Sequence, residues 1–295
     1  MNERRMGRVI LILLILLNLI LLGYYLYQQI NVNWVPAERI AQVEELYKKS
    51  GIEIQTEPDR RNRQYPLLEV GEANLDQMVE DFLNEPYEKT YIFGSEVQYV
   101  SEYLLIITDR KEHKISYQDR SKEAETLQYH GVSVEDWARQ SRISMEEAER
   151  IMEEKAKDFA HKWLGEDISL SKVVKTSEGY VYRFYAMREQ MVLCFNELQV
   201  CVSYGEVTSA QLTYWDVVEE ADETYVLLPI DEILYAMLGN IKADMEEGQK
   251  DEVVMIMDGY HIEKSDDTQE QIKAVPSIIV VLKSGKEYVM NRTTV

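Results

Sequence analysis

The sequence predicts an α+β fold: an N-terminal transmembrane helix followed by two extracytoplasmic modules in which helices pack on antiparallel sheet. Three observations lead there. Residues Val9 to Tyr27 form an apolar run without a charge. Later segments set apolar residues at helical spacing behind capping residues. Each of these is followed by short runs of β-branched and aromatic residues separated by turn formers. The expected divisions are 1–8 in the cytoplasm, 9–27 in the membrane, a first domain over 37–118, a linker over 119–142, and a second domain over 143–295 with two helix-plus-meander units.

As a helix, the nineteen residues of the apolar run would extend about 28 Å, close to the ~30 Å hydrocarbon core of a bilayer. Arg4, Arg5 and Arg8 precede the run against a single Glu3, and no basic residue follows until Arg39. The positive-inside rule therefore leaves the N-terminus in the cytoplasm and everything after about Asn31 outside. Tyr24, Tyr25, Tyr27 and Trp34 supply amphipathic rings for the far interface. A cleaved signal peptide has the same basic-then-apolar order, but the run is longer than the usual apolar core of one. Bulky residues from Tyr24 to Trp34 also stand where a cleavage site takes small ones. The expected location is the cell membrane, crossed once.

The formal net charge is −21, and the first eight residues contribute +2, so the exported part carries −23. That excludes nucleic acid as a partner and repels anionic headgroups, so the exported part should stand off the membrane. Solubility alone also accounts for such a charge. Only two cysteines occur, Cys194 and Cys201. If the intervening FNEL is a tight turn they face each other across a hairpin where a disulfide is possible; otherwise they are two buried thiols.

Taken in order, Pro36 opens a helix with Ile40, Val43, Leu46 and Tyr47 on one face and Gly51 as its stop. Ile52 and Ile54 read as a short strand. A polar loop, Thr56 to Pro66, follows with Arg60, Arg61 and Arg63, which are either solvated, salt-linked to the acidic surface, or a dock for an acidic partner. Asn74 and Gln77 have capping-box spacing ahead of a second helix through Leu75, Met78, Val79, Phe82 and Leu83. An antiparallel meander is expected over Lys89–Phe93, Val97–Val100, Tyr103–Thr108 and His113–Gln118.

Beyond the polar segment, Ser144 and Glu147 cap a helix whose stripe is Met145, Ala148, Ile151, Met152, Phe159, Trp163 and Leu164, ended by Gly165. Strands are expected at Ser169–Thr176, Tyr180–Ala186, Met191–Phe195, Leu198–Tyr204 and Thr208–Val218. Pro229 and Asp231 then start a helix to Gly239. After an acidic linker to Glu252, strands follow at Val253–Ile262, Ser277–Lys283 and Glu287–Asn291, with Ser284-Gly285 as the last turn.

Few residues offer chemistry. His113, His130, His161 and His261 are scattered, without the spacing that puts two ligands on one zinc ion. Nucleophile-elbow, phosphate-loop and dinucleotide motifs are lacking. The acidic runs Glu219–Glu223 and Glu246–Glu252 lack the alternating ligands and central glycine of a calcium loop and read as solvated linkers, as does Asp266-Asp267. No catalytic residue, metal or cofactor is therefore expected. Asn18, in the middle of the apolar run, is the informative polar residue, because an amide there gains by hydrogen-bonding another helix. Leu11, Leu14, Leu21, Leu22 and Tyr25 share its face and complete the expected partner-binding surface.

The short basic N-terminus, the spanning run with LLNLILL inside it, and the C-terminal pattern Asp258-Gly259-Tyr260, Pro276 and Gly285 to Asn291 resemble the YycH/YycI family of membrane-anchored regulatory proteins, the YycI type in particular. Where the family often has an aromatic soon after the proline, this sequence has Ser277-Ile278. The units from Ser144 onward also resemble PepSY-like modules. The resemblance implies a non-catalytic accessory regulator that meets a sensor histidine kinase, and a related regulatory protein, within and outside the membrane. The system would be a two-component one governing cell-wall homeostasis in Gram-positive bacteria. The rivals are an extracytoplasmic wall-modifying enzyme with a carboxylate pair from separate strands, and a PepSY-like ligand-binding or protease-inhibitor module.

Overall fold

Pro36 stands at the entry to α2 (Ala37–Lys49), where its missing N–H costs nothing and its fixed φ suits the turn. The structure, a computed structural model, describes residues 14–24, 34–62, 64–92, 94–129, 131–246, 248–263 and 272–291. Residues 14–24 form α1. In α2 Ile40, Val43 and Tyr47 are buried as the periodicity requires, while Leu46 stays on the exposed flank. Strand β1 (Ile52–Ile54) follows as expected, but β2 (Gln64–Gly71) does not match the expected loop. Pro66 disguises it, and is tolerated because β2 pairs with a second neighbour only further along, at residues 68–70.

Helix α3 (Leu75–Phe82) starts where Asn74 accepts the Gln77 N–H at 3.2 Å. The meander follows as β3 (Glu88–Tyr91), β4 (Glu96–Val100), β5 (Leu104–Asp109) and β6 (Lys114–Asp119), all antiparallel. Residues 119–142 are a correction: they hold α4 (Arg120–Thr126) and α5 (Val134–Gln140), and Val134, Trp137 and Ala138 are buried in the core. The Ser133 side chain caps α5 by accepting the Asp136 N–H at 3.2 Å. That cap and the i, i+3, i+4 apolar set were present in the sequence, masked by the polar residues around them.

Helix α6 (Met145–Leu164) begins with Ser144 accepting the Glu147 N–H at 3.1 Å, and lays Ala148, Met152, Phe159 and Trp163 on the sheet. β7 (Ile168–Lys175) and β8 (Gly179–Arg188) match expectation. The two strands expected either side of FNEL are a single strand, β9 (Met191–Ser203). Asn196, which resembles a turn residue, lies inside it where the register against β8 jumps, pairing Ala186 with Leu193 but Tyr185 with Glu197. Its amide is 2 % exposed and is satisfied by the backbone of Trp215, donating at 3.1 Å and accepting at 2.7 Å.

The expected strand Thr208–Val218 is two, β10 (Glu206–Thr213) and β11 (Asp216–Val226), so the acidic run Glu219–Glu223 is strand rather than linker. α7 (Ile230–Ala243) runs past Gly239, which does not stop it. β12 (Asp251–Ile262), β13 (Ile272–Leu282) and β14 (Glu287–Met290) close the chain.

Among the described residues the strands join in one 14-stranded sheet. One half is antiparallel in the order β7-β8-β9-β10-β6-β5-β4-β3 and is covered on one face by α3, α5 and α6. The other half runs β11-β2-β13-β12, with β1 and β14 added, and is covered by α2 and α7. Parallel pairing joins β1 to β12 and β12 to β9. At that second junction Gly259 sits so close to its neighbours that a Cβ would stand 2.6 Å from both the Val192 carbonyl and Ile279.

The sheet therefore ignores the expected boundary after 118, because β6 pairs with β10, and the first core unites residues 75–117 with 134–212. The second core likewise joins α2 and β1 to α7, β12 and β13 across the length of the chain.

Candidate functional site

Leu14, Asn18, Leu21 and Leu22 share one face of α1, and all of residues 14–24 are exposed. Leu11 and Tyr25 lie outside the described residues. Among the described residues no helix is long and apolar enough to cross a membrane. The described part of the apolar run is eleven residues, about 16 Å of helix.

The remaining polar groups of the sequence expectation do not converge. The buried His113 ring stacks on Trp215 with centroids 3.6 Å apart. His161 Nδ1 lies 3.0 Å from the Gly165 carbonyl, His261 is on β12, and His130 is outside the described residues. No group of three or more His, Cys, Asp or Glu placed to hold a metal ion occurs among the described residues.

Cys194 and Cys201 are free and lie seven residues apart on β9, about 20 Å in an extended strand, which rules out the hairpin disulfide. Burial, with Glu287 next, pushes the Cys194 thiol up to about 12, which makes it a poor nucleophile. Arg61 is ion-paired with Asp59 at 2.7 Å, and the Arg60 guanidinium lies 5.5 Å from the centre of the Trp34 ring, so both are engaged within the chain. Arg63, like Asp266 and Asp267, is outside the described residues. Arg188 pairs with Glu220 and Lys283 with Glu252, so both acidic runs also carry internal links.

Two assemblies went unread because their members are far apart in sequence. The first sits where β14 meets β8. Glu287 accepts hydrogen bonds from Tyr185 Oη at 2.7 Å and Ser171 Oγ at 3.2 Å, and lies 3.2 Å from the Arg183 guanidinium, which also faces Glu197 at 3.2 Å. Two carboxylates thus flank one arginine. The two acids come from separate strands, as the enzyme reading asks, but each faces the same cation. Burial raises the Tyr185 hydroxyl well above its ordinary range, so it stays protonated and donates.

The second is an open groove of about 810 Å³ between α2 and α7. Val43, Leu46, Leu228 and Leu238 give it apolar walls, and Tyr235 stands at its edge, 64 % exposed. At one end Arg39 donates through Nε to Asp231 Oδ2 at 2.6 Å and through Nη2 to Glu232 Oε1 at 2.9 Å. Asp231 is 6 % exposed, and its Oδ1 is buried without a hydrogen-bond partner. Lys242 lines the other end.

The fold defines the class: a mixed α+β protein with a large, mainly antiparallel sheet. No family profile matches the chain, and no curated protein matches it significantly. Among solved structures it is similar to an uncharacterized protein from Eubacterium rectale, at 13% identity and a TM-score of 0.45, with 83% of this chain and 87% of that one covered. It is also similar to the Bacillus megaterium YpeB C-terminal domain, at 13% identity and a TM-score of 0.30, covering 77% of this chain and all of that one.

Proposed function

We propose that the chain is a membrane-anchored, non-catalytic accessory regulator of a sensor histidine kinase in a cell-wall-related two-component system. It acts through contacts in the bilayer and outside the cell. The observation that carries this reading is the exposure of α1 on every side, Leu14 at 51 % and Ile20 at 59 % among them. A helix apolar all round finds its stable environment in a core or a bilayer, and none of the described residues covers α1. The resemblance of the flanking sequence to the YycI type supplies the partner. Asn18 supplies the contact, since an amide inside hydrocarbon gains from a donor or acceptor on a neighbouring helix.

The test is co-purification of the kinase from membranes containing wild-type, Asn18→Leu or Leu16→Ala protein at matched expression. Asn18→Leu keeps the span apolar and removes the amide, a loss of ~1 kcal/mol or several-fold in association. Leu16→Ala, on the opposite face, should leave recovery unchanged. Equal recovery from all three would reduce the segment to an anchor.

A further inference from the structure

We infer that α7 is a self-association surface, on which a second copy of this chain packs its own α7 antiparallel. The inference concerns the α2/α7 groove and does not depend on what α1 enters. The outer face of α7 carries Glu232, Tyr235, Ala236, Gly239, Lys242 and Ala243 at successive helical turns. Its inner face buries Ile233, Leu234, Met237 and Ile241 against the sheet, so the outer stripe is not needed for the fold.

Two features of the stripe have no use within the monomer. Gly239 lies in the helix interior, where glycine is less favourable than alanine because it loses more backbone freedom. A Cβ there would meet nothing within 4 Å, so no contact among the described residues requires its absence. Beside a second helix it does matter: Ala236, Gly239 and Ala243 leave a small-residue face that lets two helix axes approach at the short end of the 8–10 Å range. Tyr235, 64 % exposed on one side of that face, is an aromatic of the kind that anchors interfaces by filling a pocket. The pocket it needs is the groove beside it on the other copy.

Charge selects the occupant. Asp231 and Glu232 against Arg39 leave a net negative charge at the N-terminal end of the groove, and Asp231 has a carboxylate oxygen buried without a partner. Lys242 puts a positive charge at the other end, ten residues or about 15 Å along the helix. An antiparallel second copy brings its Lys242 to the acidic end and its acidic end to Lys242, both at once, which is the self-complementarity an isologous two-fold contact requires. Two chains of charge −21 repel each other as wholes. They can meet only where local charges pair and long-range repulsion is screened beyond about 8 Å at physiological salt.

The test is oxidative cross-linking of the full chain in detergent with a single new cysteine. Ala236→Cys, one residue from the two-fold axis that the pairing of residues 232 and 242 sets, should form a covalent dimer several-fold faster than Glu166→Cys, an exposed position just beyond α6. In the Ala236→Cys background, Lys242→Glu should slow cross-linking several-fold, and adding Glu232→Lys should restore it. Sedimentation of Tyr235→Ala should show association roughly tenfold weaker than wild type, the loss of one packed aromatic anchor. Equal cross-linking at 236 and 166, dimers formed as fast by the wild-type cysteines, or a Tyr235→Ala chain that associates like wild type would each overturn the inference. A dimer held through α1 alone would give that equal pattern.

Discussion

Glu287, on the last strand, accepts the Tyr185 hydroxyl at 2.7 Å and so ties β14 to β8 across 102 residues of chain. Arg183 adds an ion pair to the same oxygen, and Glu287 is only 14 % exposed. Removing one partner of a desolvated pair leaves the other uncompensated. Glu287→Ala should therefore cost ~3 kcal/mol in urea unfolding, while Tyr185→Phe costs ~1.5 kcal/mol. The double mutant should cost less than the sum, with a coupling of ~1 kcal/mol; additive losses would show that the two groups do not interact.

His113 supplies a pH dependence. Burial against Trp215 lowers its pKa from 6.5, and the nearby Glu72, Asp109 and Glu112 only partly oppose that. A folded-state pKa below the unfolded one means that the unfolded chain binds the proton more readily. Stability is then complete above the unfolded value near 6.5 and falls as the pH drops through the folded value. Thermal unfolding between pH 7 and 5 should show a declining Tm, and His113→Phe should flatten that decline. An unchanged profile in the variant would place the titration elsewhere.

What the sequence disclosed and what it hid divide by range. Ser144 with Glu147, Asn74 with Gln77 and the turn at Ser284-Gly285 act within a few residues, and each marks a real boundary. Pro66 and Asn196 misled because local rules forbid or disfavour them in strands. Tertiary neighbours override those rules, through a late-starting second partner for β2 and the Trp215 backbone for Asn196. The groove was illegible because Arg39 and Asp231 lie 192 residues apart, and the Glu287 site because its partners come from β7, β8 and β14. Side-chain pairs at such separations leave no periodic trace.

The segment 119–142 gives a direct check of that lesson. Trp137 is 7 % exposed and packs near Tyr204, with ring centroids 6.1 Å apart. Trp137→Ala should cost about 3–5 kcal/mol and Ser133→Ala, which removes the α5 cap, about 1 kcal/mol. Amides of α5 should be protected in hydrogen exchange. A Trp137→Ala variant within ~0.5 kcal/mol of wild type would mean that the segment is a detachable linker after all.

The apolar run should tolerate one buried charge in a bilayer but not two. Fourteen Leu, Ile and Val residues between 9 and 27, at roughly 0.3–0.6 kcal/mol each, favour insertion by about 5 kcal/mol. One arginine near the centre opposes this by about 3 kcal/mol, so Leu17→Arg should remain in the membrane fraction after alkaline extraction. A second, Ile20→Arg, brings the balance to zero or beyond, and the double variant should move into the soluble fraction. A helix held only by protein contacts would respond differently, with the single substitution already sufficient to release it. Orientation is read in the same strains from a reporter fused after Val295 that works only outside the cell. Activity is expected there under the proposed topology, because the positive-inside rule assigns Arg4, Arg5 and Arg8 to the cytoplasmic side. A fusion active solely in the cytoplasm would reverse the topology and remove the kinase-facing reading of the domains with it.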